Sequence, residues 1–435
     1  MILYAAKGPW NARRRFQPRH FRMLTDAFAA GQVDWTEHLA DLPRGGWGLV
    51  VHAPGRFSLS KSLAVRHAGG LYAFGALSRQ ERRALEAKRG VLVLDLDWDP
   101  LFPDEEVVAG LLQSIDSFEL DPAQVRLVHC NEAARAAFEA QWRRLASREP
   151  LRTLEFPTSF ALAVAYHQGR RTPDERTVRL QQAHGALHAG SKAKRFASLN
   201  GGLRPPRLHL IAWLHHLGLL ERGHVSLLGY RKRPWLIRGL GRGGESGPPA
   251  EMMRSLAKAP YAEEVADSLE AVWAKLPLTL DLEGPSRDFA YEQMAWESAD
   301  PALHDDSWFS VVMEPYADRT DMLHVTEKVA KPMLNAQPFL ANGSQHALAR
   351  LRALGFESFA PQFNEDFDEW PWPRERFRLL LDEVRRVATL PEADLRQACI
   401  ELWPRCEHNY RHFLEGGARD RLSEAFQGEV LDRLL

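Results

Sequence analysis

Short apolar runs alternate with longer stretches of helical spacing through the first third of the chain. Aliphatic and β-branched runs at 2–5, 48–52, 91–96, 125–129 and 153–156 have strand length and little polar interruption, as strands buried on both faces do. Between them, 78–88, 104–114 and 132–146 carry apolar residues at helical intervals. In the last, Ala133, Ala136, Ala137, Phe138 and Trp142 make one stripe. Strand and helix in alternation predict a parallel sheet flanked by helices. Asp121-Pro122 marks the turn before the fourth long strand.

The alternation lapses between 161 and 192, a stretch richer in Gln, His and Arg that reads as a crossover, with a surface loop at 170–175. It resumes with strands at 195–199, 225–228, 309–314 and 338–341. A helix at 206–220 offers Leu208, Ile211, Ala212, Leu214 and Leu217 to a core, and Pro205-Pro206 suits its first turn. The Gly-rich stretch 239–249 lacks the Gly-x-Gly-x-x-Gly register of a dinucleotide fingerprint. From 373 onward the pattern is helical, broken at Pro391 and Pro404. The expected organisation is an N-terminal Rossmann-like domain at 1–160, a crossover at 161–192, a second Rossmann-like domain at 193–372 and a helical segment at 373–435.

Length agrees with two cores, since 435 residues exceed one ordinary domain. A net charge of −1 supplies no global field for nucleic acid or an anionic membrane, although Arg13, Arg14 and Arg15 form a local basic cluster. Three cysteines, Cys130, Cys399 and Cys406, give neither a disulfide framework nor zinc spacing, which fits a reducing cytoplasm. The first residues lack a signal-peptide layout, and no apolar run reaches transmembrane length. Thirteen tryptophans include an adjacent loop pair, Trp370-Pro371-Trp372, of a kind that can stack on sugar faces.

Chemistry concentrates around Leu323-His324-Val325-Thr326-Glu327-Lys328, behind the apolar run 308–313 that ends on Glu314 and ahead of Pro338-Phe339-Leu340-Ala341-Asn342-Gly343. Thr326 is a good N-cap, so a helix is expected to open there with unpaired N–H groups and a lysine in its first turn. Such a terminus suits a phosphate. Glu327, beside it, suits ribose or sugar hydroxyls, and Glu314 is a second candidate for such contacts. Upstream, Asn200-Gly201-Gly202 leads into Arg204 and Arg207 at the start of the next helix. An Arg there can grip diphosphate oxygens through two parallel hydrogen bonds, and Arg207 lies further into the helix.

These residues resemble the donor-site motif of fucosyltransferase-like and bacterial polysaccharide-type glycosyltransferases with a GT-B fold. Thr326, Glu327, Lys328, Pro338 and Gly343 match the motif, 194–207 resembles the strand and Arg-rich turn before a helix, and 354–359 with 365–368 forms a third block. The likeness covers roughly 190–370. At Ala330-Lys331-Pro332 the chain departs from the usual aliphatic continuation, which leaves the sugar open. The resemblance implies two Rossmann-like domains facing a cleft and inverting transfer of a sugar, hexosyl or fucosyl, from a GDP- or UDP-linked donor. The expected donor-binding set is Asn200, Arg204, Arg207, Glu314, Thr326, Glu327 and Lys328. With Arg207, Lys328 and a helix terminus to offset the leaving diphosphate, no metal and no cofactor beyond the donor substrate are called for.

Asp95, Asp97 and Asp99 end the 91–96 strand, at the carboxyl edge where α/β sheets bind ligands. Asp95 and Asp97 are candidates for the base that deprotonates an acceptor hydroxyl. The same Asp-x-Asp pair also fits a magnesium-dependent phosphatase. A non-catalytic nucleotide- or carbohydrate-binding protein is a further alternative. The acceptor is left open between saccharide, protein and modified DNA. Neither His-Glu-x-x-His, Gly-x-Ser-x-Gly nor a P-loop occurs. His215 and His216, adjacent on a helix, face different sides and cannot share one metal; one packed and one solvated is expected. His408 is a remote candidate in the terminal helical segment.

Overall fold

The structure, a computed structural model, describes residues 1–5, 19–36, 38–44, 47–52, 77–88, 90–95, 105–117, 119–200, 204–227, 262–276, 278, 280 and 301–434. The chain divides into two compact units. One comprises Met1–Tyr166, Asp321–His324 and Arg419–Leu435; the other comprises His167–Thr320 and Val325–Ala418. The helical C-terminal segment is therefore split between them near 418 rather than standing alone.

The first unit is built on β1 (Ile2–Ala5), β2 (Asp34–Thr36), β3 (Trp47–His52), β4 (Val91–Asp95), β5 (Val125–His129) and β6 (Arg152–Glu155). They form a parallel sheet in the order β2-β1-β3-β4-β5-β6. Every residue of β5 is buried, and three of its five, Val125, Leu127 and Val128, are aliphatic. Its one charge, Arg126, gives hydrogen bonds to the Leu434 carbonyl at 2.8 Å and the Ala123 carbonyl at 2.7 Å. Helices Arg79–Lys88, Glu105–Ser117 and Ala134–Leu145 follow the expected spans closely. In the last, only Ala134, Phe138 and Trp142 are buried. The stripe is narrower than expected, because Ala136 and Ala137 face outward. The helix Arg19–Phe28 and the three-residue strand β2 were not foreseen. A three-residue edge strand is too short for a periodicity to show.

The stretch read as a crossover is helical, Thr158–Gln168 and Pro173–His188. Part of the expected 170–175 loop is a helix start. Thr172 Oγ1 accepts from the Glu175 N–H, and Glu175 accepts from the Thr172 N–H at 2.8 Å, a capping box. The second unit is built on β7 (Lys194–Asn200), β8 (Gly223–Leu227), β9 (Ser307–Met313) and β10 (Phe339–Asn342), in the parallel order β10-β9-β7-β8. Chain order reverses between β7 and β9. The terminal helices are Pro373–Thr389, Glu392–Leu414 and Gly417–Phe426. Pro391 separates the first two as expected, but Pro404 lies inside Glu392–Leu414 without ending it. Pro404 is exposed, while Leu402 and Cys406 on either side of it are buried; this packing outweighs the lost hydrogen bond. Among the described residues no helix is long and apolar enough to cross a membrane.

Candidate functional site

Open parallel sheets bind ligands beyond the carboxyl ends of their strands where the strand order reverses. In the second unit that place is set by the ends of β7 and β9, which pair along Phe196–Phe309 and Ala197–Ser310. Asn200 ends β7, and Arg204 and Arg207 follow it; after β9 come Glu314 and Tyr316; then Thr326, Glu327 and Lys328.

Glu314 is the hinge of this cluster. It is 2% exposed. Its backbone N–H donates to the Asn342 carbonyl at 2.9 Å, continuing the β9–β10 ladder by one residue. One carboxylate oxygen accepts from the Thr326 N–H at 3.2 Å and the other from the Thr326 hydroxyl. Burial raises the Glu314 pKa above the usual carboxylate range; Lys328 and the Thr326 hydroxyl oppose that shift.

Lys328 Nζ donates to Glu327 Oε1 at 2.7 Å and to Thr326 Oγ1 at 3.2 Å. Its side chain is 20% exposed, so it is no free surface lysine. Burial alone would raise the Glu327 carboxyl, but the Lys328 ammonium, its hydrogen bond and Arg207 outweigh burial and hold it at about 2. Arg207 is buried and Nε donates to the Met313 carbonyl at 3.4 Å. Burial, then Arg204, lower its pKa to about 10, with Glu327 and Glu314 opposing; it stays charged at neutral pH. Arg204 is exposed and stacks its guanidinium over Tyr316, 5.7 Å from the ring centroid.

Three expectations are corrected here. Thr326 is not a helix N-cap. Its Oγ1 accepts from the Lys328 N–H at 3.3 Å within a turn, and the helix that follows, Ala330–Met333, is four residues long. A helix so short has almost no macrodipole to offer an anion. The Pro205–His216 helix offers little more. Prolines at its first two positions carry no N–H, and the Arg207 N–H is bonded to the Arg204 carbonyl at 3.1 Å. Positive charge in the site is therefore carried by side chains. Asn200, third, is buried with its amide turned back onto the Ser198 carbonyl and hydroxyl, both at 3.2 Å. It braces the end of β7.

Of the acids at the end of β4, Asp95 pairs in register with His52 and Val128, and Asp97 lies outside the described residues, as do Gly201, Gly202 and the 239–249 stretch. The third block is structural. Glu365 accepts from the Phe359 N–H at 2.8 Å, and Asp368 caps the Ala347–Ala353 helix by accepting from the Leu348 and Ala349 N–H groups at 3.0 and 2.9 Å. His408 Nε2 bonds the Gly355 carbonyl at 3.0 Å on an exposed face and is not among the residues clustered around Glu314. His215 is half-buried on Ser268 at 3.0 Å and His216 is exposed, as expected.

Sequence reasoning missed Lys331. It is 9% exposed and interacts electrostatically with Glu327, Lys328 and Arg207. Its signal was the spacing, three residues after Lys328 and four after Glu327 in an otherwise apolar stretch.

Fold and site together define an α/β protein with a mixed-charge cluster, buried Arg207, Glu314, Glu327 and Lys331 with part-buried Lys328, beyond the carboxyl ends of a parallel sheet. No protein-family model matches the chain, and no curated protein matches it. Among solved structures it is similar to an α,α-trehalose-phosphate synthase (UDP-forming) from Burkholderia vietnamiensis, at 12% identity and a TM-score of 0.39, over 96% of this chain and 80% of that one. A likeness that slight carries no conclusion about this chain.

Proposed function

We propose that the chain is a glycosyltransferase of GT-B type that moves a sugar from a nucleotide-sugar to an acceptor hydroxyl. The observation that carries the reading is the convergence of Arg207, Lys328, Glu314 and Glu327 behind β7 and β9. Buried and part-buried cations next to buried carboxylates suit a ligand with a diphosphate at one end and neutral hydroxyls at the other. Arg207 and Lys328 take the diphosphate, and Glu327, held ionised, accepts from ribose or sugar hydroxyls. Glu314 fixes the Thr326 turn from which both Glu327 and Lys328 project.

In the inverting form of the reaction, the acceptor oxygen attacks the anomeric carbon as the bond from that carbon to the diphosphate oxygen breaks. The departing electron pair goes to the diphosphate, where Arg207 and Lys328 meet the developing charge. The acceptor proton goes to a general base, for which Asp95 and Asp97 are the candidates. Preorganised cations make the transfer independent of metal, and a cytoplasmic location agrees with three free, buried cysteines.

A thermal-shift series with UDP, GDP and their sugars tests the reading. A ligand present at about 100 times its Kd adds about 2.7 kcal/mol to native-state stability. Stabilisation by one nucleoside diphosphate and its sugar is expected; no shift with any of them would remove the nucleotide-sugar assignment.

A further inference from the structure

We propose that Lys331 is an additional phosphate contact of this cluster, its ammonium completed by an oxygen of the bound diphosphate. This rests on the anionic-donor reading above and adds a residue that the donor-site resemblance does not include.

Lys331 sits on the short helix Ala330–Met333 and is 9% exposed. Lysines are almost never buried without a partner. Among the described residues its Nζ has no hydrogen-bond acceptor and no ion pair, and the atom itself still reaches solvent. The nearest carboxylate along the chain, Glu327, is already engaged, with Lys328 Nζ at 2.7 Å on Oε1. Arg207 shares that same negative charge. The cluster therefore sets buried Arg207 and Lys331 and part-buried Lys328 against two buried carboxylates, Glu314 and Glu327, with exposed Arg204 adding charge at the rim. Glu314 is itself biased towards its neutral form by burial. A surplus of positive charge on partly desolvated side chains suits an anion reaching them from solvent. Burial, then Lys328 and Arg207, push the Lys331 pKa down to about 8, which Glu327 only partly opposes.

The experiment compares wild type with Lys331→Met, which keeps length and removes charge. Calorimetric titrations use inorganic pyrophosphate, UDP and GDP, and the Tm of each unliganded protein is recorded. The expected result is at least tenfold weaker pyrophosphate binding by Lys331→Met together with an unliganded Tm equal to or above wild type. Unchanged pyrophosphate affinity overturns the proposal. So does a loss of affinity matched by a lower unliganded Tm, the pattern of a structural lysine. If Lys331→Met does not fold, acetylation of wild type read by mass spectrometry decides. Pyrophosphate must slow labelling at Lys331, and equal labelling with and without it overturns the contact. The parent reading fails separately. Lys331-dependent binding of pyrophosphate with no binding of either nucleoside diphosphate keeps the Lys331 contact and rejects the nucleotide-sugar. Absence of binding by all three rejects both.

Discussion

Replacing Lys328 by Ala perturbs the cluster in two separable ways. Within the protein, it removes the ammonium that lies 2.7 Å from Glu327 Oε1 and 3.2 Å from Thr326 Oγ1. Breaking a fully buried pair costs about 3–5 kcal/mol. Lys328 keeps 20% exposure and Arg207 still faces Glu327, so about 1–3 kcal/mol of unliganded stability is the reasoned loss. The Glu327 pKa then rises, because Lys328 is the largest influence holding it down against burial. Towards ligand, the variant loses a charge-assisted hydrogen bond to the diphosphate, about 1.5–3 kcal/mol. That corresponds to a Kd weaker by about 10- to 150-fold. Urea unfolding without ligand reads the first quantity, and calorimetric titration with the nucleoside diphosphate found by thermal shift reads the second. An unchanged Kd together with the stability loss would refute the reasoning. Lys328 would then be half of an internal ion pair and no part of a donor site.

Arg207→Lys should weaken diphosphate binding nearly as much as Arg207→Ala, because a lysine cannot both hold the Met313 carbonyl and present a fork to phosphate; near-wild-type affinity of the Lys variant in the same titration would leave only a diffuse positive field. Glu314→Gln keeps an acceptor for the Thr326 N–H and removes a desolvated charge. A raised folded pKa means that any stabilising contribution of Glu314 is full at low pH and is lost as pH rises through that pKa. The Gln variant should therefore match or exceed the wild-type Tm at pH 7, whereas Thr326→Val, which strips the carboxylate of its hydroxyl donor, should cost about 1–3 kcal/mol; the reverse ranking would contradict the burial argument. Transfer should persist in excess chelator if Arg207 and Lys328 offset the leaving charge. Abolition by chelator, with rescue by magnesium and loss of metal-dependent donor binding in Asp97→Asn, would instead make the Asp-x-Asp pair a metal site.

Backbone architecture was largely written in local pattern. Buried parallel strands such as Val91–Asp95 are apolar along nearly their whole length, and the helices between them are striped, so alternation alone pointed to parallel α/β architecture. It also put Asn200 and Glu314 at the strand ends and Arg207 at the start of the helix that follows, within a residue of where they are found. Tertiary structure decided what each of them does. A Thr-Glu-Lys string reads as a helix cap from sequence, but whether Thr326 caps a helix or ties a turn depends on Glu314, twelve residues away in sequence and brought to it by the β9–β10 ladder. Pro404 should have ended a helix on local grounds and did not, because the neighbouring Leu402 and Cys406 are buried. Asp368 reads as part of a ligand loop until the fold sets it against the start of the Ala347–Ala353 helix. The same holds for Lys331. A charge in an apolar run is ambiguous in one dimension, and only the fold, by burying most of Lys331 within the fields of Arg207, Glu327 and Lys328, shows a cation without an acceptor of its own. Periodicity is a property of neighbours along the chain, whereas burial and charge balance belong to neighbours in space.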